Sequence, residues 1–417
     1  MSFEDKLLLY LTCSSINEQL LHKIKDILST GLDWNYVLGR AIHNKVFPTL
    51  YQHLRLLATT ELRNLIPQSV LARARELNYS FIGYSIVLHE EVRKIFKSLK
   101  AGGIEFTPIK GVLLADTVYP KKHLRFFSDI DLLFPSVDEM RGVVEKLAKL
   151  GYNFVSSNAR ESVFRKHIHG ISIDCDMHRS LSFFDFFEYP RANILIEDLW
   201  RKSSKNRVGG VKAKVMSAEH MLLVLCLHSF HDGALSLIDL CDAIHILRKH
   251  PRLDWQFISR QLKEYPCALG IPMSIINGIC ADFLGVNLVP KTVFKALCDN
   301  NLIASRISWK SAKQSLGNLQ YPVPYRKFCL ECVDYTHCPL SLHLYFHRPR
   351  DYIRRCLLDF YCILTIVKER YGIKYASKCF YQECAGVLDF LVGKLIKVLE
   401  KEPRIPKLNP FLRHRHV

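Results

Sequence analysis

Two acidic residues separated by one residue, Asp129 and Asp131, lie within an apolar segment that covers residues 126–134. If this segment is a strand, both carboxylates point to one face, about 6–7 Å apart, and Ile130 and Leu132 point to the other face and anchor the strand in a core. Carboxylate oxygens at this spacing suit a hard divalent cation. Placing them here without a partner would cost several kcal/mol of desolvation. The segment therefore indicates a metal site; the alternative is a strand end with two solvated acids.

A second acidic segment, residues 171–178, shows a clean alternation of side chains. Its apolar residues would point to one face of a strand, and Asp174, Asp176 and His178 would point to the other. Strands that alternate with helices in this part of the chain predict an α+β fold with a mixed sheet, in which the two acidic strands can lie side by side. A third carboxylate would complete a two-metal site, and on the residues alone either aspartate could provide it.

The dipeptide Lys110-Gly111 lies between a β-compatible segment, residues 104–109, and a short helical segment, residues 112–119. A junction of strand, glycine and helix places free backbone N–H groups at a helix N-terminus, where they can bind phosphate. Lys110 adds a mobile positive charge at the same place. The junction is therefore a candidate phosphate site.

The sequence has a formal net charge of +18, and residues 121–125, which end in Arg125, are a local concentration of basic side chains. This charge favours acidic partners, such as nucleic acid, nucleotides or phosphorylated substrates, without distinguishing among them. A generally basic surface would explain the same charge.

Three regions are expected to position these residues. Residues 1–100 read as helical, with Asp33 as the N-cap of one helix and a long amphipathic helix after Pro67. Residues 101–200 form the α+β core, and residues 201–417 turn helical again. The predicted architecture is thus a mixed sheet flanked by N-terminal and C-terminal helical regions.

The C-terminal region contains polar residues with open roles. His228 and His231 are three residues apart and lie on one face of a helix that Ser217 would cap. They could face a nucleotide pocket, bind a metal, or be buried and hydrogen-bonded. Asp239 and Asp242, on the next helix, could line the pocket or cap the helix.

The composition, with 49% apolar and 24% charged residues, is that of an ordinary globular protein. No apolar run approaches the ~20 residues that a membrane helix needs, and Glu4 and Asp5 stand where a signal peptide would be basic. We therefore expect a cytoplasmic protein.

The 14 scattered cysteines are typical of reduced thiols. Cys329 and Cys332 could belong to a zinc site, although a partner pair of ligands is missing, or they could be core thiols of a helix.

Several short motifs occur in a fixed order along the chain: Ile109-Lys110-Gly111, Tyr119-Pro120, Arg125, Ser128-Asp129-Ile130-Asp131-Leu132-Leu133 and Asp176-Met177-His178. Together they resemble the nucleotidyltransferase fold of the DNA polymerase β type. The similarity is closest to a bacterial family usually described only as uncharacterised nucleotidyltransferases. It extends upstream to Asp33-Trp34 and downstream through His228 to about Trp255, and it becomes vague after about residue 300.

The resemblance implies roles for individual residues. Asp129 and Asp131 would hold two Mg²⁺ ions, and Asp176, which the spacing to His178 favours over Asp174, would be the third catalytic carboxylate and metal ligand. The residues expected to contact the nucleotide are Lys110, Gly111, Arg125, Ser128, His178 and His228. Lys110-Gly111 replaces the Gly-Ser turn of related enzymes, so the hydroxyl that usually grips the triphosphate is absent here.

The predicted function is a Mg²⁺-dependent, ATP-binding type of nucleotidyltransferase. It would move a nucleoside monophosphate from an NTP substrate to a hydroxyl of an unidentified acceptor (small molecule, protein or RNA) by a two-metal mechanism. One alternative is a non-catalytic nucleic-acid-binding or scaffold protein on the same fold. Another is a glycosyltransferase that uses Asp-x-Asp, although this would not explain Lys110-Gly111 or the second acidic strand. A calcium loop is excluded because the glycine and terminal glutamate of an EF-hand are missing.

Overall fold

The fold was analysed in a computed structural model that describes residues 2–13, 16–135, 137–157, 161–178, 181, 190–231, 234–264, 269–293 and 323–324. All of them lie within one compact unit, Met1–Asp334. The possible zinc ligands Cys329 and Cys332 lie outside the described residues, and so does most of the chain after residue 293. The division into three regions at residues 100 and 200 therefore stays a prediction.

The N-terminal part consists of helices. Asp33 caps one of them, as the sequence predicts: its carboxylate accepts hydrogen bonds from the backbone N–H groups of Asn35 and Tyr36. The last of these helices is 34 residues long and ends at Gly102. The helices are α1 (Phe3–Cys13), α2 (Glu18–Leu28), α3 (Trp34–His43), α4 (Phe47–Leu57) and α5 (Gln68–Ala101), with a short 3-10 helix at Glu61–Leu65.

The sheet has five strands in the order β1-β2-β5-β4-β3. The strands are β1 (Thr107–Pro108), β2 (Asp129–Leu133), β3 (Asn153–Ser157), β4 (Glu161–Ile168) and β5 (Ile171–His178). Strand β2 is parallel to β5, and the other pairs are antiparallel. Helices α6 (Lys110–Thr117) and α7 (Val137–Lys149) precede and follow β2. The predicted α+β class, its mixed sheet and the adjacency of the two acidic strands are confirmed.

One face of the two acidic strands is apolar and buried. Ile130 and Leu132 on β2 are fully buried, and so are Ile173 and Cys175 on β5. Burying these side chains, at about 1.5–3 kcal/mol for each large one, fixes the strands against the core. Because side chains alternate along a strand, this burial forces the acidic residues onto the opposite face.

The chain after residue 189 contains a hairpin that the helical interpretation missed. Its strands, Ser204–Val208 and Val211–Val215, are joined by Gly209 and Gly210, both with positive φ (60° and 74°). A Gly-Gly pair between alternating residues favours a two-residue hairpin turn. The elements in this part are α8 (Pro190–Lys202), β6 (Ser204–Val208), β7 (Val211–Val215), α9 (Ala218–His231), β8 (Ala234–Leu235), α10 (Leu237–Lys249), α11 (Trp255–Glu264), α12 (Ile271–Asp282) and β9 (Val323–Pro324).

Within the ranges described above, no helix combines the length and apolar character that a membrane crossing requires. The five cysteines in these ranges are buried free thiols, as expected.

Candidate metal and nucleotide site

The register of β2 and β5 brings the acidic residues together. Asp129 lies opposite Asp174, and Asp131 lies opposite Asp176, in the parallel pair. His178 is two residues further along β5, so its side chain lies on the same face as Asp176. Ligand atoms of Asp131, Asp176 and His178 lie within 4.8 Å of one another. The sheet thus concentrates two carboxylates and one imidazole at one point.

Asp131 is the best-compensated acid of this group. Its Oδ1 atom lies 2.9 Å from Nε2 of His178 and 3.1 Å from Nζ of Lys110. Burial alone would raise the pKa of Asp131, but Lys110 and His178 hold that pKa well below its usual range. Asp131 is therefore ionised, with one oxygen facing two donors.

Asp176 is poorly compensated. Its Oδ1 atom is buried and has no hydrogen-bond partner among the described residues. Burial and the neighbouring charges of Asp131 and Asp129 raise the pKa of Asp176 from 3.8 to about 8. A carboxylate that has lost water and gained no donor needs a proton or a cation. This orphaned oxygen, beside an ionised Asp131, fits the requirement of a divalent cation.

Asp174, the other candidate for the third carboxylate, is already paired. Both of its oxygens accept hydrogen bonds from Arg165 on the neighbouring strand, at 2.6 and 2.8 Å. Of the two aspartates on β5, only Asp176 has an orphaned oxygen within the described structure. This geometry favours Asp176 over Asp174 as the candidate for the third carboxylate.

Asp129 stands slightly apart from the three-residue group. It is partly exposed, and burial and the charge of Asp131 raise its pKa. The sequence predicts a group of three carboxylates, Asp129, Asp131 and Asp176. In the structure, the ligand atoms that converge are those of Asp131, Asp176 and His178.

A residue that sequence reasoning did not single out, Glu161, places Oε2 3.5 Å from Nδ1 of His178. A carboxylate on the second ring nitrogen is how metal-binding histidines are commonly oriented.

A cleft of about 260 Å³ borders this face of the sheet. It brings together six of the predicted site residues: Lys110 and Gly111 on α6, Asp129 and Asp131 on β2, Arg125 before β2, and His228 on α9. The side chain of His231 lies outside the described residues. Asp176 and His178 are adjacent to Asp131 but do not line the cleft itself. The lining residues are His43, Asn44, Lys45, Lys110, Gly111, Arg125, Phe127, Asp129, Asp131, Leu225, His228, Ser236, Ile238, Asp239 and Asp242.

Lys110 and Gly111 are the first two residues of α6, which therefore begins two residues earlier than predicted, and each of them has a constraint. Lys110 has a left-handed backbone (φ +52°), which is uncommon for a residue with a side chain. A Cβ atom at Gly111 would lie 2.5 Å from Cβ of Phe127, so glycine is required there for packing. Among the described residues, no side chain caps this helix N-terminus at Ile109, so its first N–H groups can accept an anion as partner.

Arg125 is committed to a buried ion pair. Its Nε and Nη2 atoms each donate to Asp242 at 2.7 Å, and the hydroxyl of Tyr119 donates to the same carboxylate at 2.8 Å. Arg125 also donates to the backbone carbonyl of Phe126, at the start of the segment that leads to the acids. Burial would lower the pKa of Arg125, but the charge of Asp242 raises it above its ordinary value. On α10 the N-cap is Ser236, and Asp239 completes a capping box by exchanging hydrogen bonds with it.

Ser128 contacts a residue that sequence reasoning missed. Its hydroxyl accepts a hydrogen bond of 2.8 Å from Nζ of Lys45, which follows α3 and lines the cleft. A single lysine after a helix carries no distinctive sequence signal. Only the folded chain brings it next to Ser128, 83 positions away.

Fold and site together define an α+β protein with a candidate cation-binding sheet face beside a cleft that contains basic residues. Residues 30–275 match the pattern of a family described as uncharacterised nucleotidyltransferase. The match covers more than half of the chain, and the protein belongs to this family.

Two further comparisons were made. Among solved structures, the chain is similar to an antigenic nucleotidyltransferase-like protein from Paracoccidioides brasiliensis, with 12% identity and a TM-score of 0.30, over 51% of this chain and 96% of that chain. No curated protein matched the sequence significantly.

Proposed function

We propose that this member of the family transfers a nucleoside monophosphate from an NTP to a hydroxyl group of an acceptor, with Mg²⁺ bound at the acidic face of the sheet. The observation that carries the proposal is the convergence of Asp131, Asp176 and His178, in which one buried carboxylate oxygen has no partner among the described residues. This group lies inside the region that matches the family.

The reaction forms a bond between the acceptor oxygen and the α-phosphorus and breaks the bond from that phosphorus to the bridging oxygen, so that pyrophosphate leaves and the proton of the acceptor hydroxyl passes to water. Asp129, Asp131 and Asp176 are the residues that would hold the cations. Bound divalent cations would supply charge neutralisation and polarisation of the phosphoryl oxygens. His178, between Asp131 and Glu161, would fix the orientation of the Asp131 carboxylate.

The phosphate groups would contact the open N-terminus of α6 and the ammonium group of Lys110. Gly111 keeps the helix close to Phe127 and gives a ligand access to the backbone. Arg125 is a positioning residue in this proposal, since its guanidinium is occupied by Asp242.

The first test compares Asp131→Asn and Asp176→Asn with the matched control Asp174→Asn, which removes a charge from the same sheet face. We expect the first two to abolish Mg²⁺-dependent pyrophosphate release from NTPs in the presence of cell extract, because they remove oxygens needed by the cations. Asp174→Asn should keep most of the activity, because Arg165 already occupies that carboxylate.

Three measurements separate the competing functions. Release of a nucleoside diphosphate in place of pyrophosphate would support a glycosyltransferase. Binding of nucleic acid without any binding of Mg²⁺ or NTP in calorimetry would support a non-catalytic protein. Full activity in both the Asp131 and the Asp176 variant would exclude this site.

A further inference from the structure

Helix α3 ends in a Schellman motif that has a lysine where glycine is the usual residue. The N–H of Val46 donates to the carbonyl of Ala41, and the N–H of Lys45 donates to the carbonyl of Ile42. Lys45 therefore occupies the left-handed position that follows the helix, with φ +59°. Glycine adopts this backbone without the steric cost that a side chain brings. The chain thus keeps a lysine at a position where it strains the backbone.

The side chain of Lys45 lies in the cleft and is not neutralised there. Its Nζ atom donates to the uncharged hydroxyl of Ser128 at 2.8 Å. No carboxylate in the described part of the chain lies within ion-pair distance of it. Its charge nonetheless acts on the acidic face, because Lys45 and Lys110 both lower the pKa of Asp129 against burial and the charge of Asp131.

Strained backbones concentrate around this cleft. Among the described residues other than glycine, only Lys45, Lys110 and His169 have positive φ. Both lysines line the cleft, whereas His169 lies in the exposed turn between β4 and β5. Strain of this kind persists where function needs the side chain in one place. Lys45 follows α3 and Lys110 begins α6, and both line the cleft together with Asp129 and Asp131.

We infer that Lys45 is a substrate-binding residue that contacts the polyphosphate of the nucleotide, opposite the contact made by Lys110 and the N-terminus of α6. Lys45 would supply a phosphate contact from the N-terminal helices, in a chain that lacks a serine after Lys110-Gly111. An incoming phosphate oxygen would replace the Ser128 hydroxyl as the partner of the ammonium group. This assignment rests on the proposed function and adds a residue from outside the sheet to it.

The test uses Lys45→Gly and Lys45→Met in the full chain. Calorimetry in the presence of Mg²⁺ measures binding of each NTP and of inorganic tripolyphosphate, which has no base or sugar. We expect both variants to bind these ligands on the order of 10- to 100-fold more weakly, as is typical for loss of one charge-assisted hydrogen bond. The melting temperature of Lys45→Gly should equal or exceed that of the wild type, because glycine relieves the left-handed strain.

Two control variants separate charge from strain. Lys149→Ala removes a lysine that pairs with Glu145 and does not line the cleft. His169→Gly relieves a left-handed residue far along the chain from the cleft lysines. Both controls should bind tripolyphosphate as the wild type does.

The outcomes are distinguishable. Wild-type affinity for tripolyphosphate and NTPs in both Lys45 variants would overturn the assignment of Lys45 and leave the proposed function intact. Absence of binding by the wild type itself would contradict the proposed function, and the assignment with it. Retention of affinity in Lys45→Arg, together with its loss in Lys45→Met, would support the need for a cation at this position.

Discussion

Two neighbouring regions of the molecule contain buried carboxylates, and they differ in how many hydrogen bonds these carboxylates accept. Asp242 on α10 is fully buried, and both of its oxygens accept hydrogen bonds from Arg125, with a third from Tyr119. Asp176 on β5 has a buried oxygen without a partner among the described residues. Both regions border the same cleft, through Asp242 in one case and Asp131 in the other.

The difference is one of charge balance. Asp242 receives a full positive charge in bidentate geometry, so its region is complete without a ligand. On the sheet, Asp129, Asp131 and Asp176 share one described ion pair with lysine, that of Lys110 with Asp131, and the contact with His178. A complete pair is typical of a structural element, whereas uncompensated acids indicate a place for a cation.

Removing one partner of the complete pair should produce the largest loss of stability. We expect Arg125→Ala to lower the free energy of unfolding by about 3–5 kcal/mol, because Asp242 would remain buried without its counter-charge. Denaturant unfolding followed by circular dichroism measures this loss. The same measurement on Asp176→Asn, without divalent cations, should show no loss. Equal destabilisation by the two variants would remove the distinction between the regions.

A smaller loss of stability is expected from a change at the contact between Gly111 and Phe127. Phe127 lies between Arg125 and Asp129 in sequence, and its Cβ approaches Gly111 closely. Gly111→Ala should cost about 1–3 kcal/mol of unfolding free energy, because the added methyl group displaces Phe127 or the start of α6. The matched control is Gly170→Ala, where a Cβ meets no atom within 4 Å but the positive φ still causes strain. Only Gly111→Ala should also weaken tripolyphosphate binding.

The smallest expected effect is a change of the free energy of unfolding with pH, caused by Asp176. The pKa of Asp176 is raised from 3.8 to about 8, so the native protein holds a proton that the unfolded chain releases. Between these two values the stability of the metal-free protein should therefore fall as pH rises, by at least about 1 kcal/mol. Urea unfolding in EDTA at pH 5, 7 and 9 measures the slope. In Asp176→Asn this contribution should disappear, and an unchanged slope would contradict the shift.

Local patterns in the sequence were sufficient for the acidic strands and for their shared face. The alternation of Ile130 and Leu132 with acids defines the faces of β2, and the same pattern repeats on β5. The Gly-Gly turn of the β6–β7 hairpin was also visible as a local signal, but the expectation of helices obscured it. Features that depend on one short stretch of chain were thus accessible.

Long-range partnerships were not accessible in the same way. Arg125 and Asp242 are 117 positions apart, and Lys45 and Ser128 are 83 apart, so no periodicity connects them. The resemblance favoured Asp176 over Asp174 from its spacing to His178, but the pairing of Asp174 with Arg165 on the neighbouring strand is seen only in the folded chain. Ion pairs between distant residues decide which charged side chains remain available to a ligand, and these pairs form only in the folded chain.

The order of strands in the sheet has a consequence for the time at which the acidic face is assembled. Strand β2 is flanked by β1 and by β5, which is the last strand of the sheet in sequence. During synthesis, α7, β3 and β4 therefore emerge before β2 can meet its acidic neighbour. Repulsion between the carboxylates of β2 and those of β5 therefore begins only when these two strands pair. A partly folded chain in which β5 has not yet paired with β2 consequently lacks the complete acidic face.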